Sequence, residues 1–167
     1  MKRKCLWLGL ALWVSGCMVP GKPPKGVPLG EVTEGVTNLD GKEVVLADYV
    51  GQVVLLNFWA TWCPPCVREI PDLQSLHEKY KGQGVAIIGV TNDDPKAVRK
   101  FVQRKGVTYP ILLDKGRLEF QFGVAALPTT FVFDRKGEIV AVYVGSRSAE
   151  ELERDLKAAL GRVGKGI

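Results

Sequence analysis

Cys63 and Cys66 stand two residues apart in "NFWATWCPPCVREIP", residues 57–71, behind an apolar run and ahead of a helical pattern. Such a pair could bind a metal, close a static crosslink, or carry electrons as a dithiol and disulfide. A crosslink stabilises by removing unfolded-chain entropy, and that effect grows with the loop it closes. A gap of two residues closes almost nothing, so the pair is poorly placed as a staple. A tetrahedral zinc site needs about four ligands, commonly two Cys pairs or Cys with His. The chain has one histidine, His77, eleven residues beyond Cys66, or roughly 16 Å along a helix at 1.5 Å per residue. It can neither complete a metal site nor act as a base for the thiols, and it reads as helix surface. For electron transfer the position is favourable. A helix N-terminus stabilises a thiolate through its dipole and free N–H groups. Cys63 is the candidate nucleophile there, and Cys66, one turn inside, would resolve the mixed disulfide. Pro64 and Pro65 both lack an N–H, which removes two donors from the Cys63 thiolate. A less stabilised thiolate favours the disulfide and makes the dithiol a better reductant.

The flanking elements follow from pattern. "VVLLNFW", 53–59, is a continuous apolar run, as expected of a strand buried on both faces. Val67, Ile70, Leu73, Leu76 and Tyr80 recur at spacings of three and four, which predicts a helix from Pro64. "VAIIGVT", 85–91, is a second buried strand. Asp94, Pro95 and Gly106 supply the cap, first position and stop of a second helix over "DPKAVRKFVQRKG". "VTNLDGKEVVL", 36–46, reads as a hairpin turning at Asp40-Gly41. "YPILLD" predicts a short strand and "KGRLEFQFGV" a short helix. "TTFVFD" and "EIVAVYVG" form a late hairpin, and "SAEELERDLKAAL" an amphipathic helix capped by Ser148. Parallel strands joined by helices, plus antiparallel hairpins, predict an α/β fold: an open mixed sheet with helices on both faces.

The first thirty residues have another character. "MKRKCLWLGLALWVSGC" has a basic start and an apolar run from Leu6 to Val14, too short to span a bilayer and suited to a secretory signal. "VSGC", 14–17, resembles a bacterial lipobox, which implies cleavage before Cys17 and lipid on that cysteine; an uncleaved signal anchor is the alternative. Cys5 falls in the discarded segment. "MVPGKPPKGVPLG", 18–30, predicts an extended tether reaching roughly 40 Å at about 3.1 Å per residue. The expected division is signal 1–16, lipidated tether 17–30, and a folded domain 31–167. The chain carries 23 basic and 18 acidic side chains, a net +5. Without Lys2, Arg3 and Lys4 the balance is 20 against 18, or +2, and no basic stripe interleaved with aromatics marks a nucleic-acid surface. Only Cys63 and Cys66 then remain in the folded part, in an oxidising environment.

Several segments together resemble the thioredoxin superfamily. Trp62, Cys63, Pro64, Pro65 and Cys66 match its active-site motif, and Pro71 matches the proline that kinks the active-site helix. "LPTTFVFD", 127–134, matches the segment whose cis-proline faces the cysteines, with Pro128 as the candidate. "DGKEVVLADYVGQVVLLNFWATWCPPC" and the segment leading to "PTT" are similar to the TlpA/ResA branch of membrane-attached, extracytoplasmic thiol-disulfide oxidoreductases. The resemblance covers about residues 30–160. It implies a thioredoxin-like fold with an N-terminal hairpin extension and a βα insertion before the cis-proline, no cofactor, and a monomer. Its partners would be exported cysteine-containing proteins, apocytochrome c among them, and a membrane thiol protein that donates electrons.

The resemblance also assigns residues. Many thioredoxins carry a buried Asp where this chain has Asn57; the branch instead uses an acid after the second central strand, here within "TNDDP". Asp93 is the candidate for handling the Cys66 proton, and Asp94 a helix cap. Trp62 would shield the nucleophile or touch partners. Leu127 would offer backbone groups to an incoming strand. Arg68 and Glu69 match the branch's pattern but read as plain helix surface. A thiol peroxidase is the second enzyme reading, but its usual Thr-x-x-Cys pattern fails here, since Ala60 lies three residues before Cys63. A tethered binding or chaperone module is the non-enzymatic reading, and it would not need both cysteines.

Overall fold

The computed structural model describes residues 26–161. Its seven strands are β1 (Val36–Asn38), β2 (Glu43–Val44), β3 (Val53–Phe58), β4 (Val85–Thr91), β5 (Ile111–Leu113), β6 (Thr129–Phe133) and β7 (Ile139–Val144). They form one mixed sheet in the order β2-β1-β5-β4-β3-β6-β7. The helices are α1 (Pro64–Tyr80), α2 (Pro95–Lys105), α3 (Arg117–Phe122) and α4 (Ala149–Gly161). β3 lies parallel to β4 and antiparallel to β6. Every residue of β3 is buried, which explains its unbroken apolar run around a single polar residue, Asn57.

Two apolar layers sandwich the sheet. On one face Leu55 and Val53 pack with Ile70, Leu73 and Leu76 of α1, and with α2 and α4. On the other, Leu56, Phe58, Phe131 and Phe133 meet Leu118 and Phe122 of α3. Phe122 sits at the centre of that aromatic group, 5.6 Å from Phe58 and 5.1 Å from Phe131 between ring centroids. Asp94 caps α2 by accepting from the Lys96 and Ala97 amides, and Gly106 ends it in the left-handed region. Ser148 and Glu151 exchange bonds at the start of α4, a reciprocal cap that satisfies two free N–H groups at that end.

The domain begins before the expected boundary. Leu29 is fully buried in a short 3-10 turn, and its amide donates to the Gly137 carbonyl at 2.8 Å. The last residues of the anticipated 17–30 tether therefore pack onto the fold, because one leucine among prolines and glycines finds an apolar seat. The signal region 1–16 and Cys17 lie outside the described residues. Among the described residues no helix is long and apolar enough to cross a membrane.

Candidate active site

β3 delivers the motif. The Trp59 amide continues the sheet by donating to the Val90 carbonyl at 3.0 Å, and the Cys63 amide closes a turn onto Ala60 at 3.2 Å. Cys63 then sits at the N-cap of α1, with Pro64 and Pro65 opening the helix. Gly89 makes this approach possible: a Cβ there would lie 2.8 Å from Trp59 Nε1 and 2.7 Å from Ile111 Cδ1.

Cys63 and Cys66 form a disulfide with their Cα atoms 5.3 Å apart. With both prolines lacking an N–H, the Cys66 amide is the donor that reaches Cys63 Sγ, at 3.3 Å. Both cysteines are buried, yet Cys63 lines an open groove and Cys66 does not. That groove, about 480 Å³, runs between Trp62–Pro65 on one wall and Asn92, Glu119 and residues 124–127 on the other. Leu127 forms part of its edge, and the Leu127–Pro128 bond is cis. The Pro128 carbonyl accepts from the Gly145 amide at 2.8 Å, so the next turn supports this segment from behind. Gly145 donates this bond at φ +92°, a conformation that L side chains rarely adopt.

Asp93 leaves β4 at the edge of the sheet where the motif lies. Its Oδ2 accepts from the Thr61 amide at 2.6 Å and the Thr61 hydroxyl at 2.8 Å, and its Oδ1 from Trp62 Nε1 at 2.9 Å. The carboxylate therefore binds the two residues preceding Cys63. Trp62, 71% exposed, is held at its nitrogen while its ring stands in solvent beside the groove.

Glu69 departs from the surface position expected of it. It is only 2% exposed. Its Oε2 accepts from Asn57 Nδ2 at 3.1 Å and its Oε1 from the Arg147 amide at 2.9 Å. Asn57 Nδ2 also donates to Thr130 Oγ1 at 2.9 Å, across the β3–β6 pair in which the two residues face each other. Burial pushes the Glu69 carboxyl above the usual range, and the two hydrogen bonds pull against that rise. Residues three apart on a helix lie about 5–6 Å apart at Cβ, so Glu69 and Cys66 are neighbours on one face of α1. The signal was present in the sequence: position 69 is three after Cys66 and four before Leu73, on the buried stripe. Asn92 and Glu119, in contrast, reach the groove from separate loop and helix positions and leave no pattern.

A dithiol-disulfide pair at a helix N-terminus, beside a cis-proline edge on a mixed α/β sheet, defines a protein of the thioredoxin fold class. The AhpC/TSA family profile matches residues 28–142, and the chain belongs to this thioredoxin-like family, within its ResA-type thiol-disulfide oxidoreductases. The thiol-disulfide oxidoreductase ResA of Geobacillus kaustophilus is 43% identical over 125 residues, 74% of this chain and 72% of its own length. A thiol:disulfide interchange protein of the thioredoxin family from Chlorobium tepidum superposes with a TM-score of 0.73 at 30% identity, covering 84% of this chain and 98% of its own. An exposed lipoprotein thioredoxin of Streptococcus pneumoniae gives a TM-score of 0.63 at 28% identity, covering 75% and 98%. The enzyme class is therefore thiol-disulfide oxidoreductase.

Proposed function

We propose that this chain is a lipid-anchored, extracytoplasmic reductant of protein disulfides, supplied with electrons by a membrane thiol protein, and that apocytochrome c is among its substrates during cytochrome c maturation. The observation that carries the reading is the placement of the pair: Cys63 lines an open groove, while Cys66 is buried and outside it, three residues ahead of the buried Glu69 on the same helix. The Cys63 thiolate attacks one sulfur of the substrate disulfide, forming a mixed disulfide and releasing the other sulfur as a thiol. Cys66 then loses its proton to Glu69 and attacks Cys63 Sγ. The Cys63–Cys66 disulfide forms, the second substrate thiol leaves, and two electrons have passed to the substrate. Leu127 and Pro128 present the docking edge. Asp93, expected to take the Cys66 proton, is here given the loop ahead of Cys63, since both its oxygens are engaged by Thr61 and Trp62; the proton is assigned to Glu69, three residues after Cys66 on α1. Pro64 and Pro65 bias the pair toward giving up electrons.

Lipidation at Cys17 rests on "VSGC" and finds support in the exposed lipoprotein thioredoxin that the fold matches. The test is a Cys66→Ser chain expressed in its native host. The expected result is a trapped mixed disulfide with an exported cysteine-containing protein, in a membrane fraction released by detergent and not by salt. An intact mass showing mature chain with unmodified Cys17 would remove the anchor; a variant that traps nothing would remove the reductase.

A further inference from the structure

Among the polar groups of the groove, Glu119 has no task in the exchange chemistry. It is held in place from two sides. Buried Asp114 accepts from the Leu118 and Glu119 amides at 2.9 and 3.0 Å, fixing the start of α3, and Asn92 Nδ2 donates to Glu119 Oε2 at 2.9 Å. Apart from Asn92, the rest of the groove lining is cysteine and apolar side chains. No cationic nitrogen lies within 4 Å of the Glu119 carboxylate among the described residues. Burial raises its pKa, and the charges of Asp114 and Asp93 raise it further. A carboxylate kept among other acids, in an apolar cleft and without a counter-charge, gains more from an incoming cation than one on open surface.

We propose that Glu119 is a specificity residue: among disulfide-bearing protein segments, it selects those carrying a lysine or arginine side chain close to the reacting cysteine. This rests on the groove being where the substrate disulfide docks. A segment lying in the groove takes water from Glu119. A basic side chain then replaces the lost hydration, a neutral one leaves the carboxylate short of partners, and an acidic one adds a third repulsive neighbour to Asp93 and Asp114.

The test uses the reduced full chain and three disulfide peptides identical except for Lys, Gln or Glu two residues from the cysteine. Second-order reduction rates are measured at low salt. The Lys peptide is expected to outrun the Gln peptide by about fivefold, the worth of an ion pair at a solvent edge, with the Glu peptide slowest. The preference should shrink as salt shortens the Debye length to about 3 Å near 1 M. Glu119→Gln should bring the Lys/Gln ratio to about one, whatever its absolute rate, and Glu119→Lys should reverse the order. Glu138→Gln makes the same change in net charge in the β6–β7 turn and should keep the wild-type ratio. Equal rates for the three peptides in wild type, or a ratio that survives Glu119→Gln, overturns the assignment while leaving the reductase intact. Failure of wild type to reduce any peptide overturns the reductase reading, and the selectivity with it.

Discussion

Replacing Glu69 by Gln separates proton transfer from packing. The carboxylate accepts one bond on each oxygen, from Asn57 and the Arg147 amide. The new amide can accept on one side only, and an unpaired buried donor costs about 1–3 kcal/mol. Asn57 can offset part of that by turning its amide, since its oxygen could then accept from both the new Nε2 and the Thr130 hydroxyl. We therefore expect a folded variant within about 2 kcal/mol of wild type. The difference should depend on pH. A carboxyl with a raised folded-state pKa contributes stability that is fully present below its unfolded pKa, about 4.3, and lost as pH rises through the folded value. Wild type should hold its greatest relative advantage in acid, and Glu69→Gln should close the gap toward neutrality. Chemistry should change more. A positioned general base is worth about 10²-fold or more, so the attack of Cys66 on the mixed disulfide should slow by about that factor at pH 7. Its rate should climb tenfold per pH unit into the alkaline range, where wild type has already levelled off above the raised Glu69 pKa. Stopped flow with an aromatic disulfide reads this step as the concentration-independent second phase. A second phase within about threefold of wild type across pH 5–9, from a variant that melts normally, would refute the proton role.

Asp93→Asn removes part of a three-bond clamp on Thr61 and Trp62; it should cost about 1–2 kcal/mol and alter Trp62 emission, read by melts and fluorescence. Asp94→Asn should leave both near wild type, because Asn caps helices as well as Asp does. In the reduced protein an alkylating agent should modify Cys63 rapidly and Cys66 slowly, since only Cys63 lines the groove; equal rates by peptide mass mapping would reverse the assigned roles. Gly89→Ala should destabilise by about 1–3 kcal/mol through overpacking against Trp59 and Ile111, measured by denaturant titration.

The elements legible in the sequence are those whose pattern is dictated by their own burial. β3 and β4 are apolar on both faces, and α1 carries its stripe at helical spacing, so each could be read without knowing its neighbours. The topology then placed the end of β4 beside the motif, which is why Asp93 could be anticipated at that edge. What Asp93 binds could not be anticipated, because its partners depend on how the loop before Cys63 turns. The burial of Leu29 leaves no local pattern, because its seat is formed partly by Gly137, far along the chain.

Glu69 departs from its expected place for a related reason. A charged residue on a helix is usually solvated. Here Asn57 makes its burial tolerable. Asn57 brings donors where an Asp would bring a second negative charge, and one of those donors satisfies the carboxylate that α1 carries under Cys66. An Asp at 57 would face Glu69 at hydrogen-bond distance and force one of the pair to stay protonated. The buried acid thus comes from the helix and its support from the strand. Asp93, at the end of β4, holds Trp62 and Thr61. On the proposed mechanism the two carboxylates then divide the work: Asp93 fixes the loop ahead of Cys63, and Glu69 takes the proton of Cys66.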